Sequence, residues 1–131
     1  MPQKPGPTTG LPHLIAATGY SLAGLGRLWR EASFRQEVFA GGAGLLILLI
    51  SGAAIQSVAI FVMLLMALLA VEAMNTAIEV IVDHLSPEWS EFGKQAKDIG
   101  SAAVLLMIGV NTIWFLVALT EVWFAGKFQI I

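Results

Sequence analysis

Two long stretches of this chain carry no charged side chain, residues 38–71 and residues 99–120. A helix that crosses a bilayer needs about 20 predominantly apolar residues, and both stretches are longer than that. The first is long enough for two crossings joined by a short turn, which we place between Ser51 and Ser57. Hydrophobic residues make up 57% of the chain and charged residues 12%, which is too apolar for an ordinary soluble domain. We therefore predict an all-α membrane protein with three transmembrane helices.

The rest of the chain divides into a leader and a surface helix. Residues 1–10 are rich in Pro, Gly and Thr, which favours disorder. In residues 11–30 the apolar side chains gather on one side of a helical wheel, a pattern typical of an amphipathic helix on the membrane surface. Three glycines weaken this helix by up to about 1 kcal/mol each relative to Ala, and they predict a kink or break. We expect a leader at 1–10 and one membrane domain at 11–131, with the surface helix at 11–30 and spans at about 33–50, 55–85 and 97–122.

The basic residues predict the orientation of the chain in the membrane. Of the seven lysines and arginines, all but Lys127 would share one side. Because cytoplasmic segments carry an excess of Lys and Arg, we expect a cytoplasmic N-terminus and an external C-terminus. The net charge of -2 gives no reason to expect nucleic-acid binding. The chain contains no cysteine, which excludes disulfides and thiolate chemistry.

A stripe of polar residues interrupts the second predicted span, in residues 71–84 (VEAMNTAIEVIVDH). At about 100° per residue, five side chains fall within roughly a third of the helix circumference, namely Glu72, Asn75, Thr76, Glu79 and Asp83. An ionisable side chain inside a bilayer costs a few kcal/mol or more, so it usually faces protein or water and has a function there. Two glutamates with an amide between them indicate a divalent-cation site or a proton-transfer site.

Two more charged segments should meet this stripe at the inner membrane surface. They are REASFRQE (residues 30–37) and HLSPEWSEFGKQAKD (residues 84–98). Mg²⁺ takes oxygen ligands, which the carboxylates of Glu31, Glu79 and Asp83 would supply. Lys97 would bind a phosphate as a point charge. Such a site, open to both cytosol and lipid, fits phosphoryl transfer from a soluble nucleotide to a lipid hydroxyl.

From the residues alone, three functions of the polar stripe stay open. It is a catalytic or metal site, an ion pathway through a small oligomeric transporter, or a polar seam that pairs helices in an oligomer. The chain lacks the glycine-rich loops of P-loop enzymes and of protein kinases, so those two mechanisms are excluded.

The charged segments also resemble those of a known family. The motifs EASFRQE, EAMNTAIEVIVD and KDIGSAAV together are similar to the prokaryotic integral-membrane diacylglycerol kinases, and the resemblance extends over about residues 13–123. It implies a homotrimer of three-span subunits in the bacterial inner membrane, with the active site on the cytoplasmic side. The implied reaction moves the γ-phosphate of MgATP onto diacylglycerol to give phosphatidate. Undecaprenol kinases of the same family are the alternative, although KDIGSAAV is closer to the diacylglycerol kinase version.

The resemblance assigns roles to individual residues. Glu72 matches the catalytic base and Asn75 the amide next to the acids, while Glu31 and Glu79 match the acids that hold the Mg²⁺ cofactor. The positions that match ATP contacts are His13, where relatives carry arginine, Tyr20, Glu31, Glu79, Glu88, Trp89, Ser90, Lys97 and Asp98. The positions assigned to the lipid substrate are Arg35, Gln36, Glu37 and Ser101.

Overall fold

The computed structural model describes residues 10–128, without the side chains of Pro12 and of residues 125–128, and the regular structure in that range is helical. The helices are α1 (Leu11–Leu28), α2 (Ala32–Ile50), α3 (Ile55–Leu85) and α4 (Glu91–Phe128). Three stretches are long and apolar enough to cross a membrane, at Ala32–Ile50, Ile55–Leu85 and Glu91–Phe124. The prediction of an all-α protein with three spans is confirmed. The predicted leader lies outside the described residues except for Gly10.

The first helix meets α2 at a tight corner. α1 is continuous over Leu11–Leu28, so the predicted break at its glycines is absent. Arg35 holds the corner, because its Nη1 atom donates hydrogen bonds to the carbonyl oxygens of Trp29 at 3.0 Å and Arg30 at 2.9 Å. Most side chains of α1 are exposed in the single chain. Its position on the membrane surface stays a prediction.

A glycine closes the turn between α2 and α3. Gly52 has a φ of 77°, a left-handed conformation that residues with a Cβ rarely adopt. Its N–H donates to the Leu49 carbonyl at 3.2 Å, and the Ala53 N–H donates to the Leu48 carbonyl at 3.0 Å. These two hydrogen bonds form a Schellman motif, which satisfies carbonyls that the end of a helix would otherwise leave unpaired. The connection is therefore short, and α2 and α3 pack against each other.

The apolar core lies near this turn, between α2, α3 and α4. Its buried members are Leu48, Val58, Phe61 and Ala118. Glycine allows α2 to approach α3 closely, because a Cβ on Gly41 would lie only 2.4 Å from Leu65 Cδ1. α3 and α4 form the most extensive helix pair, and α2 packs mainly against α3.

Polar side chains also join α3 to α4 along the spans. Ser57 Oγ donates to Glu121 Oε2 at 2.7 Å, and Trp114 Nε1 donates to the Ser57 carbonyl at 3.0 Å. Asn111 Nδ2 donates to the Leu64 carbonyl at 3.1 Å. Because a bilayer offers no water to unpaired polar groups, such bonds favour one relative position of the two helices.

Candidate active site

A cavity of about 690 Å³ lies between α2, α3 and α4, and one of its ends is polar. That end is lined by Ser33, Gln36, Glu37, Glu72, Asn75, Glu79 and Ser101. Further along, the lining is mostly apolar, with Leu65, Leu68, Val104, Ile108 and Phe115 among its members. The cavity thus brings together residues that the sequence assigned to catalysis, to the metal and to the lipid. This lining suits a ligand with a hydrocarbon chain and a polar reacting group.

Glu72 is the most deeply buried acid at this polar end, with 3% of its surface exposed. Ser33, in the first turn of α2, donates a hydrogen bond from its hydroxyl to Glu72 Oε1. A buried carboxylate is costly unless it is hydrogen-bonded, and a hydrogen bond to a charged group contributes about 1.5–3 kcal/mol. The packing of α2 on α3 therefore supplies Glu72 with a partner from a distant part of the sequence.

Asn75 and Glu79 form a second contact in the cavity, one turn further along α3. Asn75 Nδ2 donates to Glu79 Oε1 at 3.1 Å. Within the described residues, Asn75 Oδ1 is buried and has no hydrogen-bond partner. The amide lies directly against Gly100 of α4, where an added Cβ would be 2.2 Å from Asn75 Oδ1. The absence of a side chain at Gly100 thus makes room for Asn75.

Glu37 places another carboxylate in the same cavity. Its Oε2 atom is buried and, in the part of the chain that the structure describes, accepts no hydrogen bond. Buried polar atoms in proteins are nearly always satisfied, so an open acceptor indicates a partner from outside the chain. Glu37 and Asn75 together offer two such acceptors, which suit a hydroxyl group or a cation.

A second pocket, of about 340 Å³, lies at the corner between α3 and α4. It is lined by Val82, Asp83, Ser86, Pro87, Glu88, Trp89, Ser90, Gly93, Lys94, Lys97 and Asp98. Lys97 forms an ion pair with Asp83 across the two helices, and Lys94 pairs with Asp98 at 2.8 Å. Asp83, a candidate metal ligand from the sequence, is therefore engaged by Lys97. An ammonium group has three donors, so Lys97 retains the capacity to bind a phosphate oxygen.

Two serines shape the corner of this pocket. Ser86 Oγ donates to Ser90 Oγ at 2.7 Å, and Ser90 Oγ accepts a hydrogen bond from the Gly93 N–H at 3.1 Å. Ser90 thereby caps the first turn of α4, as serine commonly does at a helix start. This cap explains why α4 begins at Glu91, before the expected start of the third span.

Four of the predicted site residues line neither pocket, namely His13, Tyr20, Glu31 and Arg35. His13 and Tyr20 are exposed on α1, and Glu31 is partly buried at the start of α2. Within residues 10–128, no three His, Cys, Asp or Glu side chains form a group that could hold a metal ion. Protein-bound Mg²⁺ often uses only one or two carboxylates and takes its other ligands from substrate phosphates and water. The chain alone is therefore not expected to complete such a site.

Two residues that sequence reasoning did not select contact the site directly. Ser33 lies inside the EASFRQE motif, but its hydrogen bond to Glu72 depends on the packing of α2 against α3. Gly100 lies inside KDIGSAAV, and the run of small residues there was the available signal. A small residue permits close helix approach, although the sequence alone does not say which side chain approaches it.

Comparison with known proteins gives one consistent result. A family profile described as prokaryotic diacylglycerol kinase matches residues 19–119. A diacylglycerol kinase of Sinorhizobium sp is 47% identical over 106 residues, which cover 81% of this chain and 77% of the relative. A diacylglycerol kinase of Escherichia coli (strain K12) is 40% identical over 117 residues, covering 86% of this chain and 93% of the relative. One of Pseudomonas aeruginosa is 40% identical over 111 residues, covering 80% of this chain and 86% of the relative.

Proposed function

The chain belongs to the prokaryotic diacylglycerol kinase family and is an ATP-dependent diacylglycerol kinase, and we propose that its Glu72 is the base for attack by the lipid hydroxyl. In this reaction the hydroxyl oxygen of diacylglycerol forms a bond to the γ-phosphorus of ATP. The bond from that phosphorus to the β–γ bridging oxygen breaks, ADP leaves, and the hydroxyl proton moves to the Glu72 carboxylate. The products are phosphatidate and ADP.

The observation that carries the proposal is the position of Glu72 in the cavity between the helices. It lies at the polar end of a cavity whose remaining lining is mostly apolar. An acyl chain in the apolar part would hold the glycerol hydroxyl near the carboxylate. A lipid hydroxyl has a pKa far above 7, so Glu72 helps by accepting the proton as the attack proceeds. Positioning of the two substrates in line is the larger contribution in phosphoryl transfer.

We assign the nucleotide to the second pocket, at the corner between α3 and α4, which we call the corner pocket. It lies next to the cavity between α2, α3 and α4, which we call the lipid cavity. Glu79 lines the lipid cavity and Asp83 lines the corner pocket. These two residues are about 6 Å apart along the axis of α3, at a rise of 1.5 Å per residue. In our proposal the phosphates of ATP lie near Lys97 and Asp98, which reach them from α4. The rest of the nucleotide is assigned contacts with Glu88, Trp89, Ser90, His13 and Tyr20.

The acids near Asn75 fit a bound Mg²⁺. Glu79 and the open Asn75 Oδ1 present oxygen atoms, the ligand type that this ion prefers. We assign Glu79 and Glu31 as its protein ligands, with ATP phosphates as the others. A Mg²⁺ ion held there would supply positive charge against the negative charge that develops on the transferred phosphoryl group. In the same proposal Asn75 orients Glu79 through its amide, and Gln36, Glu37, Arg35 and Ser101 contact the lipid headgroup.

The proposed assembly is a homotrimer in the bacterial inner membrane with its active site facing the cytoplasm. Large apolar side chains cover the outside of the spans, as with Leu106 on α4, which is 72% exposed. Such a surface suits contact with lipid or with other subunits. Glu31 does not line the cavity of its own chain, which favours a site that is completed between subunits.

The experiment that tests this function measures transfer of labelled γ-phosphate from MgATP to lipid by the purified protein in mixed micelles. Diacylglycerol and undecaprenol are offered in parallel. We expect label on diacylglycerol, and we expect Glu72→Gln to lower kcat by at least about 100-fold, within the range for loss of a general base. ATP binding should remain close to that of the wild type. Label on undecaprenol alone would contradict the proposed acceptor.

The matched control is Glu91→Gln, since Glu91 is an exposed acid at the start of α4 and lines neither pocket. We expect it to leave kcat unchanged. Equal loss of ATP binding and turnover in Glu72→Gln would overturn the base assignment. If no phosphate is transferred and an ion flux depends on Glu72, the result would favour the ion-transporter hypothesis instead.

A further inference from the structure

We propose that Ser33 is a positioning residue that holds the Glu72 carboxylate in the orientation needed for proton transfer. The inference rests on the proposed role of Glu72 as the base. Ser33 is outside the residues assigned from the sequence, yet its hydroxyl donates a hydrogen bond to Glu72 Oε1. Both side chains line the polar end of the lipid cavity.

Ser33 differs from the other polar residues of the cavity in its hydrogen-bond partner. Asn75 donates its amide hydrogen to Glu79. Among the hydrogen bonds between described residues, the one that reaches the Glu72 carboxylate comes from Ser33. The orientation of this carboxylate therefore depends on a contact between α2 and α3, in addition to its own rotamer on α3.

A fixed carboxylate is a better base than a rotating one. The carboxylate of a glutamate turns readily about its last side-chain bond, because that torsion has broad, shallow preferences. A hydrogen bond to Oε1 selects one orientation and leaves Oε2 to face a hydroxyl in the cavity. Catalytic groups must be held within about 0.5 Å and 10–20° of their productive geometry, and neighbouring hydrogen bonds commonly do this. Ser33 contacts the base and not the reacting atoms, so in this proposal it acts through Glu72.

The test compares Ser33→Ala with Ser33→Thr in the lipid phosphorylation assay. Loss of a hydrogen bond to a charged group changes an equilibrium constant or a rate constant by about tenfold or more. We therefore expect kcat of Ser33→Ala to fall about tenfold. KM for MgATP should stay at the wild-type value, because the nucleotide pocket is formed by other residues. Ser33→Thr keeps the hydroxyl, and Ser33 is exposed enough in the single chain to accept the extra methyl group. We therefore expect Thr to restore most of the lost kcat.

The matched control is Ser51→Ala, the same change in the turn between α2 and α3. Its hydroxyl donates to the Leu48 carbonyl at 2.9 Å, far from the cavity's polar end. We expect Ser51→Ala to leave kcat and KM unchanged. An effect of Ser33→Ala on packing alone would appear equally in Ser33→Thr or would raise KM for MgATP, and either result overturns the inference.

The outcomes also separate this inference from the proposed function. Transfer by the wild type with an unchanged kcat in Ser33→Ala refutes the positioning role alone. Absence of transfer to any lipid by the wild type refutes the proposed function and, with it, the inference.

Discussion

Gly100→Ala is the substitution for which the structure predicts the sharpest separation of activity from stability. The added Cβ would lie 2.2 Å from Asn75 Oδ1 and 3.3 Å from Asn75 Cγ. The first distance is more than about 1 Å short of an optimal contact, which lies near 3.5 Å. The Asn75 side chain must therefore move, and its 3.1 Å hydrogen bond to Glu79 is lost.

The cost to stability should be small, because two effects oppose each other. Replacing Gly by Ala inside a helix stabilises it by about 0.5–1 kcal/mol. Overpacking destabilises by about 1–3 kcal/mol, and the clash here involves the end of a side chain that can rotate. We expect a net loss of about 0–2.5 kcal/mol in the free energy of unfolding from these two opposing ranges, near the low end because the Asn75 side chain can rotate away.

The cost to activity should be much larger. A displacement of about 1 Å in a group that positions reactants can lower the rate about 100-fold. We expect kcat for lipid phosphorylation to fall by about that factor. The measurement is kcat at saturating MgATP and diacylglycerol, paired with the thermal midpoint of unfolding in the same micelles.

Gly109→Ala is the matched control, on the same helix, where an added Cβ meets no atom within 4 Å. It gains the same helix propensity without a clash in the chain, so we expect wild-type activity. Wild-type kcat in Gly100→Ala would refute the idea that Asn75 must occupy this position. A fall in kcat that is fully accounted for by a smaller amount of folded protein would refute it as well.

Two further substitutions test the remaining contacts. Ser57→Ala removes the 2.7 Å hydrogen bond to Glu121 at the end of the spans away from the cavity's polar end. We expect a loss of about 1 kcal/mol in unfolding free energy with kcat unchanged, checked by thermal unfolding beside the activity assay. Lys97→Gln removes the ammonium that pairs with Asp83. We expect KM for MgATP to rise about tenfold, the worth of a charge-assisted hydrogen bond, whereas an unchanged KM would contradict the phosphate contact.

In the proposed mechanism, two pockets that share helix α3 let a single small chain bind an aqueous and a membrane substrate. The lipid cavity is mostly apolar and lies between three spans, whereas the corner pocket is lined by charged side chains. α3 contributes Glu79 to the first and Asp83 to the second. Because helix geometry places these residues one turn apart, reactants bound in the two pockets would meet without a large movement of the protein.

The sequence by itself determined the membrane class, the number of helices and most of their ends. Uninterrupted apolar stretches leave a chain no other way to satisfy its backbone in a bilayer. Local chemistry also set the boundaries, since Gly52 closes the α2–α3 turn and the dipeptide at Ser86 and Pro87 ends α3 at Leu85. The polar stripe was visible for the same reason, because helical periodicity alone places Glu72, Asn75 and Glu79 on one face.

Only the tertiary structure decided which residues of different helices meet. The hydrogen bond from Ser33 to Glu72, the contact of Gly100 with Asn75 and the pairing of Lys97 with Asp83 all join separate helices. Each depends on the rotation and height of one helix relative to its neighbour, and these follow from side-chain packing along the whole interface. Periodicity reports which face a residue occupies within its own helix. It carries no information about the residue opposite, so the geometry of the site emerges only when the three spans pack together.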